Sequence, residues 1–233
     1  MRLSTLMHTL NGYETKRKRL LKKAPKGPLH DFLSVPFPAP DTLISELPIL
    51  AVDFETTGLN AKTDKLLSIG FVALENEQIK LNSCYHQIIK TNTKLEASNV
   101  IIHQITDAQK EQGKALNLVV EQLLKALAGK VMLVHFARIE RQFLQQACLE
   151  LYGLVPDFPI IDTLAIAKRQ LDKRDVAYDP SELRLANLRH KYQLPVHHGH
   201  NALNDAIATA ELLLAQINSK AAADQLLLKD LLL

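Results

Sequence analysis

Residues 49–59 read ILAVDFETTGL: an apolar run that ends on two acids, Asp53 and Glu55, with one phenylalanine between them. The apolar part is what a strand covered on both faces requires. Because side chains alternate along a strand, Asp53 and Glu55 project to one face while Val52 and Phe54 project to the other. Two ionised carboxylates side by side in apolar surroundings repel each other and lose hydration, a cost that a divalent cation offsets. Hard oxygen ligands of this kind suit Mg²⁺ or Mn²⁺. An isolated Asp-x-Glu is more often just a strand end that has reached water, because such pairs are frequent, so the pair needs support from elsewhere in the chain.

Outward from this strand, the segment from about Glu46 alternates strands and helices. Residues 48–54, 65–74 and 78–89 have strand patterns, with a tight turn at 75–77 joining the last two. Leu116, Val119, Val120, Leu123, Leu124 and Leu127 recur at helical spacing before Gly129. A short strand at 130–136 leads into a helix ending at Gly153, and residues 159–169 read as another short strand entering a helix. A polar loop through Asp179 and Pro180 precedes a helix expected from about Ser181 to Tyr192. The long final core helix starts after His200. Three consecutive strands followed by strand and helix alternation predict an α/β fold with a mixed sheet.

The 233 residues are 47% hydrophobic and 23% charged, enough for one sizeable core with additions. The expected division is a basic, helical N-terminal arm with a Pro-rich connector (1–45), a main domain (46–218) and a helical tail docking by its leucines (219–233). The connector, VPFPAPD at 35–41, has three prolines in alternate positions and should be extended. A net charge of +3 is too mild to identify a partner. The two cysteines, Cys84 and Cys148, lack metal-site or disulfide-framework spacing, which points to a reducing, cytoplasmic location. Apolar runs are too short to span a bilayer, and the N-terminus lacks a secretory core; its Lys/Arg-rich first 23 residues leave a targeting peptide open.

The support for the acidic pair comes late in the chain. Residues 197–214 read HHGHNALNDAIATAELLL; alanines 202, 206 and 210 form a smooth packing stripe, and Asn201 is a plausible N-cap. Asp205 then falls near the helix start, where the dipole favours an anion, and His200 lies just before the helix. A histidine beside a metal-binding acid suits general-base activation of water. In isolation the histidines are better explained by a polar loop or a chance site for a softer metal. Between these regions, VHFARIERQFL at 134–144 has His135 ending a strand and Glu140 in the next helix, with Phe143 and Leu144 turned to the core.

In this order the three motifs resemble those of the DEDDh 3′-to-5′ exonucleases of the ribonuclease-H-like fold, which include the proofreading subunit of bacterial replicative polymerase, ribonuclease T and oligoribonuclease. VDFETTGL and HNALNDA together are a specific match; the middle motif taken alone is weak. The resemblance covers roughly 46–218 and implies a mixed five-stranded sheet flanked by helices. It implies a metal-dependent exonuclease releasing nucleoside monophosphates from single-stranded DNA or RNA 3′ ends with two Mg²⁺ or Mn²⁺ ions. Asp53 would bridge both ions, Glu55 and Asp205 would complete the ligands of the first, and Glu140 would serve the second, largely through water. His200 would take the proton of the attacking water. Thr56 and the backbone after it would hold the terminal nucleotide, Leu59 would pack on its base, and His103 in IIHQIT would lie against it.

Two positions depart from the family pattern: Glu140 replaces the usual Asp, and Phe136 stands where Asn is common. Asp162 also fits a family segment, but an N-cap for the helix at Thr163 is the simpler expectation. Seven basic residues between Lys16 and Lys26 have only Glu14 beside them. They could track phosphates of a longer strand or form a solvated helical face. Competing functions are a nucleic-acid-binding adaptor with little catalysis and a hydrolase of very short oligonucleotides. A repair or RNA-trimming role fits better than a proofreading subunit, with a polymerase or repair partner left open.

Overall fold

The computed structural model describes residues 3–91, 105–175, 177–219 and 225–233, so His103 lies outside the described residues. Five strands form one sheet in the order β3-β2-β1-β4-β5. These are β1 (Ile49–Thr56), β2 (Leu66–Glu75), β3 (Gln78–Ile88), β4 (Val131–Val134) and β5 (Ile160–Asp162). β1, β2 and β3 form an antiparallel meander, whereas β4 joins β1, and β5 joins β4, in parallel. The expected mixed sheet is therefore present.

The helices are α1 (Leu3–Leu21), α2 (Pro28–Ser34), α3 (Asp107–Glu111), α4 (Leu116–Leu127), α5 (Arg138–Tyr152), α6 (Thr163–Arg174), α7 (Leu185–Lys191), α8 (Ala202–Asn218) and α9 (Leu228–Leu231). One sheet face packs Leu50, Val52 and Phe54 against α4, against Phe143 and Leu144 of α5, and against Leu29, Phe32 and Leu33 of α2. The other packs Ile49 and Ala51 against Ala206, Ala210 and Leu213 of α8 and against Leu228 and Leu231 of α9. Burial on both faces is why β1 reads as an almost unbroken apolar run.

The alanine stripe of α8 brings that helix very close to the sheet, and Gly70 of β2 completes the fit. A Cβ on Gly70 would collide with the Ala202–Leu203 backbone at the start of α8. Gly70 is also the direct partner of Asp53 in the ladder. Gly70→Ala is expected to cost about 1–3 kcal/mol through overpacking and to push Asp205 away from Asp53. Urea denaturation together with a nuclease assay checks both effects.

Three segments differ from the sequence-based expectation. The helix expected over 181–192 is two pieces, a 3₁₀ turn Pro180–Leu183 and α7, because Arg184 between them is extended at φ −65° and ψ 145°. The break lets Leu183 and Leu188 both reach a small cluster with Ala167, Leu171 and Leu212. Among the described residues of the tail, the helix is a single turn, Leu228–Leu231, held by backbone bonds from Leu228 N–H to Thr42 O (2.9 Å) and from Lys229 N–H to Pro40 O (3.0 Å). The N-terminal segment packs on the main domain through α2, and Arg17 is one of its pins rather than a solvated cation. Arg17 is buried, pairs with Glu14 through two hydrogen bonds of 2.7 and 2.5 Å, and donates to the Leu33 carbonyl.

Candidate active site

The register of the parallel strands opens the site. β4 pairs with β1 only from Ile49 to Ala51, so from Val52 onward β1 has a ladder partner on its β2 side alone. The acids thus project at the carboxyl ends of the parallel strands, where open α/β sheets form clefts. There Asp53, Glu55 and Asp205 converge, each offering a carboxylate oxygen within 4.8 Å of the others. The expected first metal group is thereby brought together.

This crowding has an electrostatic signature. The Asp53 carboxyl is held well above the usual carboxylate range, first by burial and then by the negative charges of Glu140, Asp205 and Glu55. Glu140, in the first turn of α5, is buried with 3% exposure. Burial is again the main cause of its raised pKa, reinforced by Asp162 and Glu55 against a lowering hydrogen bond from its own backbone. The Glu140 Oε2 atom has no hydrogen-bond partner among the described residues. An orphaned buried carboxylate oxygen beside three further acids is what a hard divalent cation would satisfy. The donor set therefore fits a hard divalent cation, with Glu140 outside the three-oxygen cluster.

Each acid is positioned by its own local structure. Asp205 sits in the first turn of α8, whose N-cap is Asn201, with its side chain accepting from Asn204 N–H at 3.1 Å. Its Oδ2 accepts the His200 N–H at 2.7 Å, and its Oδ1 lies 2.9 Å from His197 Nε2. His200 has a left-handed backbone (φ 64°), which aims its N–H at Asp205 while its exposed side chain lines the cleft. Glu140 is placed by Asp162, which accepts from Phe136 N–H (3.0 Å) and Ala137 N–H (2.9 Å) as well as capping α6 through Leu164 N–H. The expected N-cap role of Asp162 is thus joined by a second one, fixing the turn into α5.

Phe136, at φ 75° and 43% exposed, holds a left-handed position that Asn adopts more readily than a bulky side chain. His135 is structural: its ring nitrogens meet Thr163 Oγ1 at 2.8 Å and the Leu183 carbonyl at 3.0 Å, and burial lowers its pKa. Among the expected nucleotide contacts, Leu59 is 71% exposed and free to meet a base. Thr56 is buried, and its hydroxyl donates to the Gly58 carbonyl at 2.7 Å, so it shapes the loop after β1.

His197 and Arg189 were not singled out from the sequence. His197 stands in HHGH, where it is indistinguishable from its neighbours until Asp205 is seen against it. Arg189 reads as an ordinary surface cation of a helix, yet it is buried and donates to Ala208 O at 2.8 Å and Pro195 O at 2.9 Å. It also pairs with Glu211 at 2.7 Å. Those bonds fasten the approach to the histidine loop onto α8.

Comparison with known proteins agrees with this geometry. The chain is 31% identical over 176 residues to the PolC-type DNA polymerase III of Thermotoga maritima, covering 75% of this chain and 12% of that protein. It is 25% identical over 164 residues to the 3′-5′ exonuclease DinG of Staphylococcus haemolyticus, covering 70% of this chain and 17% of that one. The chain thus spans less than a fifth of either relative. Among solved structures, the nuclease domain of 3′hExo, a DEDDh family member bound to rAMP, shares the fold with a TM-score of 0.62 at 16% identity. That match covers 76% of this chain and 94% of the other. The family model RNase_T, described as exonuclease, matches residues 50–213, a span that contains Asp53, Glu55, Glu140, His200 and Asp205. The chain belongs to that exonuclease family.

Proposed function

We propose that this protein is a 3′-to-5′ exonuclease that removes nucleoside 5′-monophosphates from single-stranded DNA or RNA ends. The observation that carries the reading is the convergence of Asp53, Glu55 and Asp205 within 4.8 Å at the carboxyl end of the parallel strands, beside the unpartnered oxygen of Glu140. Asp53, Glu55 and Asp205 would hold one divalent ion, Asp53 would share a second, and Glu140 would reach that second ion mainly through water. Two such ions, when bound, supply a lowered pKa for the attacking water and charge stabilisation for the leaving oxygen.

The side chains assign the remaining work. A cavity of about 720 Å³ contains Asp53, Asp205, His200 and the exposed Arg184, enough room for a strand terminus with a cation near its phosphates. Water attacks the terminal phosphorus while the bond to the preceding 3′ oxygen breaks, and the water proton passes to His200. Asp205 accepts the His200 N–H and so sets the backbone from which that ring projects. Leu59 provides an apolar surface for the last base. His103 is proposed to lie against the same nucleotide, by its match to the family segment. No helix among the described residues is long and apolar enough to cross a membrane. Both cysteines are free, with burial pushing the Cys148 thiol up to about 12. That chemistry suits a reducing cytoplasm.

The test is shortening of 5′-labelled single-stranded DNA and RNA with Mg²⁺ or Mn²⁺, alongside Asp53→Ala and His200→Ala. A ladder that vanishes in both variants supports the proposal, whereas intact substrate with tight binding identifies an adaptor. Glu140→Gln keeps the shape of the side chain and removes its charge. It is expected to lower turnover about 10–100-fold, the range for groups that act on a metal mainly through an intermediary, with an unchanged fold by circular dichroism.

A further inference from the structure

The positive charge of this chain is concentrated in one place. Residues 1–26 contain eight Lys and Arg against Glu14 alone, while the rest of the chain has 20 basic and 24 acidic residues, a net −4. A body of that sign repels a polyanionic substrate, and α1 with the turn after it supplies the opposing field. Arg17 is consumed internally, but Arg19, Lys22, Lys23 and Lys26 are exposed and have no ion-pair partner among the described residues. Lys16 and Arg19 lie three apart on one side of α1, and Lys23 extends that stripe because its N–H still bonds Leu20 O at 2.8 Å.

A groove of about 780 Å³ runs along α5, between a chain neighbour of the acidic site and a chain neighbour of the residue that anchors this stripe. One wall is the loop after β1, with Leu59 and Lys62; the other is the outer face of α5, with Arg138, Gln142 and Gln145. At its near end Arg138 is two residues from Glu140. At its far end Val155 is two residues from Asp157, which Lys16 of α1 binds at 2.8 Å. From Arg138 to Leu149 the groove follows α5 for about 16 Å, the reach of several nucleotides. Its amide side chains and apolar Leu59 and Val155 suit sugars and bases without requiring a sequence.

We propose that the basic stripe of α1 is a second, sequence-independent binding site for the phosphates of the same strand, several nucleotides upstream of the 3′ end held at the acids. The inference rests on the exonuclease reading for the position of that end. Leu20 and Leu21 pack against the core, so among the described side chains of α1 no apolar face is left to insert into a lipid surface. The site makes affinity depend on strand length and salt.

The test uses the full chain and the triple variant Arg19→Glu/Lys22→Glu/Lys23→Glu, which spares the structural Arg17 and Lys16. On a single strand of about 20 nucleotides, long enough to reach a second site, kcat/KM is expected to fall at least about tenfold at low salt. On a trinucleotide it should stay unchanged. The slope of log KM against log salt should shrink by roughly 2, three single-strand phosphate contacts at about 0.7 each. Equal loss on both lengths, or no loss on the long strand, overturns the proposal. Fluorescence anisotropy of the labelled long strand in EDTA reads α1 without catalysis. Binding lost in the triple variant supports the site even if no strand is shortened, which would sink only the exonuclease reading. Equal binding by both proteins rejects the stripe, leaving an acidic protein as its occupant.

Discussion

Asp53→Asn should abolish strand shortening and at the same time stabilise the metal-stripped protein. Among the described residues, Asp53 is the acid whose raised pKa reflects all three of Glu140, Asp205 and Glu55, so it stands at the electrostatic centre of the site. Removing its charge removes a ligand that both ions would share. Several kcal/mol of transition-state stabilisation then disappear, a loss of at least about 10³-fold in kcat/KM. Stability moves the other way because the native site without metal holds a carboxyl whose charged form is penalised. Its folded pKa lies above its unfolded value, so the penalty is absent below about pH 4 and complete once pH exceeds the raised native value. Metal-stripped wild type should therefore lose stability as pH rises through that window, and Asp53→Asn should lose less. Thermal melts in EDTA across this range check the sign. Added Mg²⁺ should raise the melting temperature of wild type more than that of the variant, and most at the higher pH. A variant that melts below wild type in EDTA at neutral pH would contradict the buried-charge account.

His200→Ala should separate binding from chemistry. The side chain is exposed, and the backbone N–H that holds Asp205 survives the substitution, so metal affinity and the position of Asp205 are retained. General-base catalysis contributes typically about 10²–10⁴-fold, and kcat should fall by that amount while KM stays near its original value. Added imidazole should restore part of the rate, which a merely structural histidine would not permit. His197→Ala is the internal control, since His197 contacts Asp205 directly through Nε2. A larger kcat loss in His197→Ala than in His200→Ala would reassign the base.

Features with a local cause were legible before any coordinates. The dyad of β1, the Asn201 cap, the Asp162 cap and the left-handed Gly153 after α5 each follow from spacing or from a backbone preference within a few residues. The motif resemblance pointed to Asp53, Glu55, Glu140 and Asp205 residue by residue, with Glu140 at the unusual second position. What local pattern does not contain is which distant segment meets which. That Arg17 and Arg189 are internal pins was not legible, because no local pattern shows the carbonyls they bind, Leu33 for the first and Ala208 and Pro195 for the second. The continuous helix expected over 181–192 satisfied helical spacing, yet packing of Leu183 and Leu188 into one cluster is served by a break at Arg184.

Sequence periodicity was thus sufficient for the class of fold, for the strand that presents Asp53 and Glu55, and for the helix that carries Asp205. The meeting of those acids within 4.8 Å, the burial of Glu140 beside them and the seating of His197 on Asp205 depend on tertiary packing. They arise because β1 outruns β4 and because Gly70 lets α8 lie against the sheet beside Asp53, two long-range contacts that no short-range repeat encodes.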